Sequence, residues 1–311
     1  MTLRISKLSK RFANNWVLRD VEFDVEPGQV LAVLGAKGSG KSTLLQILGG
    51  LEKPSPANLD CGLDGRRIGV VSPTADTSIF RFFSRRQSQN DIGSTINTVL
   101  GSGQSVVAFD DPVAALDRET RSHILERIRD ASNEKQLTVI YATADFETAA
   151  TVADRIAVLA DGSIQQIGTP EEIYGSPANT RVALLTGRCN LIEARRLTST
   201  KFDIPEFQTV KGEHRLFAER ADIAKLGAIN RNVYLAIRPE DISMSFGASF
   251  PEDNLLKAVV TGVKYLGPIT IVELAANGLE LEAAVLRLVG LDVGQECVVG
   301  LPPDRVRILR D

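Results

Sequence analysis

The sequence predicts an α/β domain over residues 1–185 followed by a small all-β domain over residues 190–311. Three observations point there. Val30–Leu34 is a continuous apolar run, as expected of a parallel strand covered on both faces, and Leu44, Ile47, Leu48 and Leu51 follow it at helical spacing. Further short apolar runs, Val106–Phe109, Leu137–Tyr141 and Ile156–Leu159, are separated by helical stretches. Beyond about Ala178–Asn190 the helical periodicity stops and short β-rich runs take over.

Near the N-terminus, Val21, Phe23 and Val25 alternate with Glu22 and Asp24, the pattern of a half-buried strand. Thr169-Pro170-Glu171-Glu172 supplies a cap, a proline at the first helical position and a capping-box Glu, so a short helix starts there. In the second domain the strand candidates are Val233–Ile237, Val259–Tyr265, Ile269–Leu274, Leu279–Ala284 and Val298–Leu301. Asn277-Gly278 between two of them is a hairpin signal, and the set suggests a small barrel or sandwich.

Composition narrows the function classes. The chain has 311 residues, with 36 Lys plus Arg against 39 Asp plus Glu, so a net charge of −3 gives no pull toward nucleic acid. Its apolar runs are far too short to cross a bilayer. The N-terminus lacks an apolar signal core, and a cytoplasmic protein is expected. Cys61, Cys189 and Cys297 are odd in number and widely spaced, which argues against a disulfide framework or a zinc site.

The most specific signal is Gly35-Ala36-Lys37-Gly38-Ser39-Gly40-Lys41-Ser42, a full match to G-x-x-x-x-G-K-S/T between a buried strand and a helix. Its glycines let backbone N–H groups turn inward as an anion nest, and the helix N-terminus adds a favourable dipole. A nucleoside triphosphate is therefore expected over Gly35–Thr43, touching Gly35, Gly38, Ser39, Gly40, Lys41, Ser42 and Thr43. Lys41 reaches the β- and γ-phosphates, and the Ser42 hydroxyl ligates Mg²⁺. The apolar strand Val106-Val107-Ala108-Phe109 ends in Asp110, the second expected Mg²⁺ holder, through the water shell.

With these parts in place the chain resembles an ABC transporter ATPase. The resemblance rests on Gly35–Thr43, Phe109-Asp110-Asp111-Pro112, Ala114-Ala115-Leu116-Asp117, Tyr141-Ala142-Thr143-Ala144-Asp145 and Asp161–Tyr174, in family order. The last run is most similar to importer ATPases for sugars, polyamines and ferric iron. Leu235-Ala236-Ile237-Arg238-Pro239-Glu240-Asp241-Ile242 looks like the signature of their C-terminal OB-like (TOBE) domain, and Tyr265-Leu266-Gly267 and Leu301–Arg307 fit its later parts. The resemblance implies a P-loop NTPase fold of ABC type, ATP rather than GTP, and a place on the cytoplasmic face of a membrane. It also implies a permease, a solute-binding protein acting through that permease, and a second ATPase subunit. An early aromatic stacks on adenine in such proteins; Phe12 holds that place and Trp16 is the fallback, with core packing equally open for both.

Several positions depart from the pattern. The catalytic Glu position holds Asp111, whose carboxylate sits roughly 1 Å short, a misplacement that can cost about a hundredfold in rate. The switch His position holds Ala144, and the Q-loop Gln position holds Pro73. The chain's two histidines lie elsewhere, and His123, beside Ile124 on an amphipathic stretch, reads as a surface residue. Too few residues separate Pro73 from Asp110 for a full helical subdomain. Leu100-Gly101-Ser102-Gly103-Gln104 mimics the LSGGQ signature but reads as a loop into the Asp110 strand. Phe80–Arg86, aromatic and basic, either packs inward as a short helix or faces a membrane subunit or an acidic partner. Three functions stay open: a degenerate importer subunit paired with a more complete ATPase, an ATP-sensing scaffold outside transport, and a fully active ATPase with Asp111 as its catalytic base.

Overall fold

The computed structural model describes residues 2–56, 68–71, 92–199, 204–221, 226, 228–246, 254–286 and 290–310. Cys61, Pro73 and the Phe80–Arg86 segment lie outside the described residues. The chain divides into two compact units, Met1–Gly175 and Ser176–Asp311.

The first unit opens with an antiparallel ribbon, β1 (Leu3–Phe12) and β2 (Asn15–Val25). The strands β3 (Val30–Leu34), β4 (Gly69–Val71), β5 (Val106–Asp110), β6 (Thr138–Thr143), β7 (Arg155–Ala160) and β8 (Ser163–Gly168) form one sheet in the order β4-β5-β6-β3-β7-β8. All neighbours are parallel except β7 and β8, which form an antiparallel hairpin. Every residue of β3 and β6 is buried, which is why both read as unbroken apolar runs or close to it.

The helices are α1 (Lys41–Leu48), α2 (Ile92–Leu100), α3 (Arg118–Lys135), α4 (Phe146–Val152) and α5 (Pro170–Gly175). The first is shorter than its periodicity suggests. It ends at Leu48 with Gly49 as C-cap, Gly50 turns to φ 71°, and Leu51 is left exposed. The predicted capping box forms at α5: Thr169 N–H donates to Glu172 Oε2 at 2.9 Å, and Glu172 N–H donates to Thr169 Oγ1 at 3.3 Å. His123 is on the exposed face of α3, while Ile124 and Ile128 are buried.

The second unit begins with α6 (Thr180–Leu185). This helix groups with the β-rich part because the buried Arg238 guanidinium donates to Ala183 O at 3.0 Å and to Thr186 Oγ1 at 2.7 Å. Ala183 also packs against Ala236 and Leu309. The strands are β9 (Asn190–Arg196), β10 (Glu206–Thr209), β11 (Arg215–Phe217), β12 (Asn232–Ile237), β13 (Ser243–Ser245), β14 (Leu255–Tyr265), β15 (Thr270–Ala276), β16 (Leu279–Val285), β17 (Glu296–Gly300) and β18 (Arg307–Leu309). They make two antiparallel sheets, β11-β10-β9-β12-β18 and β13-β17-β14-β15-β16, over a shared core. Asn277 and Gly278 both take positive φ, 37° and 89°, as a tight hairpin between β15 and β16 demands.

Two buried asparagines tie the sheets together. Asn190 Oδ1 accepts from Glu282 N at 2.7 Å while its Nδ2 donates to Glu282 O at 2.9 Å. Asn254 does the same for Phe217, with both contacts at 2.7 Å, and adds Leu301 O at 2.8 Å. Each side-chain amide thus replaces a strand's backbone rung between the two sheets.

Candidate functional site

Strand β3 delivers the chain to Gly35, whose N–H donates to Thr143 O at the end of β6 (3.2 Å). Gly35 has no room for a side chain: a Cβ there would lie 2.4 Å from Leu159 O and 2.6 Å from Ser39 Oγ. The loop then turns through Gly38 and Gly40, the latter at φ 107°, a left-handed value that L side chains rarely adopt. A Cβ on Gly40 would also come within 2.7 Å of Leu18 Cδ2 and 3.0 Å of Val17 O. Helix α1 starts directly after, anchored by buried Leu44, Leu45, Ile47 and Leu48, so its free N–H groups face the loop.

Within this cradle Lys41 Nζ donates to the carbonyls of Gly35 (2.6 Å) and Ala36 (2.9 Å). Burial pushes its pKa down, against the opposing pull of Asp110 and Asp111, which places both carboxylates within electrostatic reach of the ammonium. Ser39 Oγ is buried with no hydrogen-bond partner. Ser42 is exposed and Thr43 half-buried. An orphaned hydroxyl, an ammonium resting on loop carbonyls and an accessible serine together fit a bound phosphate chain with a divalent cation.

Asp110 ends β5, paired in register with Ala142 of the neighbouring β6. Asp111 follows in a left-handed conformation, φ 44°, with its N–H on Ala142 O at 2.9 Å. Its carboxylate turns to the end of β6, where Oδ2 accepts from Thr143 Oγ1 at 2.9 Å and the nearby Ala144 amide favours its charged form. Burial raises the Asp111 pKa; those two donors oppose the rise, and the Asp145 and Asp110 charges add to it. Thr143 is wholly buried and also accepts from Asp145 N–H at 3.1 Å, while Asp145 caps α4 through Thr148 N (2.9 Å) and Oγ1 (2.5 Å). Nothing in the sequence singles out Thr143 within the run Tyr141–Asp145. Only the strand order β5-β6-β3 reveals that one residue is bonded to the phosphate loop on one side and to the acid on the other.

The remaining candidates fall as follows. Phe12 ends β1 and is 43% exposed, with Lys10 Nζ 4.7 Å above its ring; Trp16, equally exposed, faces the Arg11 guanidinium at 5.6 Å. Neither ring is core. Leu100–Gln104 is the C-terminal end of α2: Gly101 N–H bonds Asn97 O, Ser102 N–H and Oγ both bond Val99 O, and Gly103 takes φ 73°. The Gly101 and Ser102 amides are turned back on their own helix, and the run leads from α2 toward β5 as the loop its Gly-Ser-Gly composition predicts. Among the described residues no helix is long and apolar enough to cross a membrane.

The site is therefore that of a P-loop nucleotide-binding protein. Residues 18–167 match the ABC transporter family and residues 235–309 the TOBE domain. The sulfate/thiosulfate import ATP-binding protein CysA of Mesostigma viride is 30% identical over 70% of this chain and 76% of its own. The trehalose/maltose import ATP-binding protein MalK of Thermococcus litoralis is 27% identical over 89% of both chains. The spermidine/putrescine import ATP-binding protein PotA of Mesoplasma florum is 26% identical over 85% of this chain and 86% of its own. The chain belongs to the ATP-binding proteins of ABC importers, with a C-terminal TOBE domain.

Proposed function

We propose that this chain is the ATP-binding subunit of an ABC importer, a degenerate partner of a second, more complete ATPase, with slow or no hydrolysis of its own. Mg-ATP binds over Gly35–Thr43, with Gly38, Ser39, Gly40 and Lys41 on the phosphates, Ser42 and Asp110 holding Mg²⁺, and Phe12 against the adenine. Bound ATP acts here mainly as glue between subunits. The importer relatives support a membrane permease, with a solute-binding protein reached through it.

The observation that carries the degenerate reading is the pairing of an intact phosphate loop with Asp111 and Ala144. A shorter carboxylate is tied to the end of β6, where only a backbone amide stands in place of an imidazole. The run Leu100–Gln104 adds to it, since its Gly101 and Ser102 amides are already engaged by α2. Two copies of such a chain leave both composite sites incomplete.

Mass spectrometry of what co-purifies with the tagged chain from mildly solubilised membranes tests the reading. Recovery of a permease and a second ATPase is expected. Recovery only from the soluble fraction, alone or with a regulator, favours the ATP-sensing scaffold instead. An ordinary turnover near ~10 s⁻¹ by the purified chain, abolished in Lys41→Ala, sinks the slow-hydrolysis part.

A further inference from the structure

Two hydrogen bonds through the Thr143 hydroxyl form a directed chain. The Asp145 N–H donates to Thr143 Oγ1 at 3.1 Å, and Thr143 Oγ1 donates to Asp111 Oδ2 at 2.9 Å. A hydroxyl has one proton, and with an N–H occupying one lone pair that proton has one acceptor to meet, the carboxylate. Such chains polarise and reinforce one another. The Thr143 carbonyl meanwhile accepts from Gly35 N–H, so the hydroxyl is held in register with the phosphate loop.

The acid end is equally fixed. Asp111 has its N–H on Ala142 O and sits at φ 44°, so its backbone cannot swing without breaking that bond. The carboxylate leaves its place only by side-chain rotation, which must break the Thr143 hydrogen bond. Residue 144 offers an amide and a methyl group, with no imidazole to draw the carboxylate elsewhere.

We propose that Thr143 is a positioning residue that latches the Asp111 carboxylate against the end of β6 and so keeps hydrolysis at this site slow. The inference rests on the slow-hydrolysis reading above. In the suppressed step a water oxygen bonds to the γ-phosphorus, the bond from that phosphorus to the β–γ bridging oxygen breaks, and the water's proton passes to Asp111 and then to the released phosphate. A carboxylate already engaged by Thr143 is poorly placed to take that proton.

The test compares hydrolysis of γ-labelled Mg-ATP by the full chain and its Thr143→Val, Thr143→Ser and Thr143→Val/Asp111→Asn variants. Losing a hydrogen bond to an ionised carboxylate shifts its rotamer balance by on the order of tenfold. Thr143→Val should accordingly raise kcat about tenfold with KM unchanged. Thr143→Ser, which keeps the hydroxyl, should restore the slow rate, and the double variant should lose the gain. Thr143→Ala replaces the valine if that variant does not fold. A Thr143 variant that binds Mg-ATP but hydrolyses it no faster than wild type, or a gain that survives Asp111→Asn, overturns the latch. The wild-type rate alone judges the slow-hydrolysis reading; the variant-to-wild-type ratio judges the latch.

Discussion

At the scale of single residues, the phosphate loop is a set of steric refusals around one cation. Gly35→Ala drives a methyl group into Leu159 O and Ser39 Oγ. It should cost about 1–3 kcal/mol of folding stability and weaken ATP binding, measured by urea unfolding and nucleotide titration. Asp111 has a pH signature of its own. Its folded-state pKa lies above the ordinary 3.8, so between those two values the folded chain holds a proton that the unfolded chain has released. Stability from this group is therefore fully present below 3.8 and is lost as pH rises through the folded pKa. In nucleotide-free protein, Asp111→Asn should flatten that fall in urea midpoints; an unchanged pH profile counts against a buried, strained carboxylate. The loop residues were legible in the sequence because phosphate binding by consecutive amides is a local property. Thr143 was not, since its role depends on β6 lying between β3 and β5.

At the scale of elements, legibility followed regularity. Strand β3 and helix α5 read clearly because burial on both faces and a capping box leave local traces. Strand β1 did not. Its alternation holds for Leu3 and Ile5, then slips at Lys7, where φ is 52° and the register to β2 shifts, so Leu8, Ser9 and Lys10 are buried in succession. The two sheet-closing asparagines were equally invisible, because a side chain acting as a strand rung leaves no periodic mark. Their weight is testable. Asn254→Ala leaves Phe217 N, Phe217 O and Leu301 O without partners in a buried place. It should destabilise the β-rich unit by about 2–4 kcal/mol in denaturant unfolding, whereas an exposed substitution such as Lys257→Ala should stay within roughly 0.5 kcal/mol.

For the whole molecule, each unit has a core of its own. Among the described residues, the β-rich core draws on residues from Ile192 onward, and the core under the phosphate loop on residues up to Ile167. A fragment of residues 176–311 should therefore fold alone, giving a β-type circular dichroism spectrum and one cooperative thermal transition. A non-cooperative melt with strong dye binding would show that its core needs the first unit. Ligand linkage separates the units further: Mg-ATP at a hundredfold excess over Kd adds about 2.7 kcal/mol to whatever unfolds with the phosphate loop. The placement of α6 in the second unit escaped sequence reading because the contacts holding it come from Arg238, far along the chain.

The amide of Asn190 has one more effect. By taking both the N–H and the C=O of Glu282 it fills the middle of the outer edge of β16, the stretch where an incoming strand could dock most easily. Recruitment through strand addition is blocked at that point, and so is the runaway stacking that open sheet margins invite. Whatever this unit grips, at Glu282 it must do so with the side chain and not with the backbone.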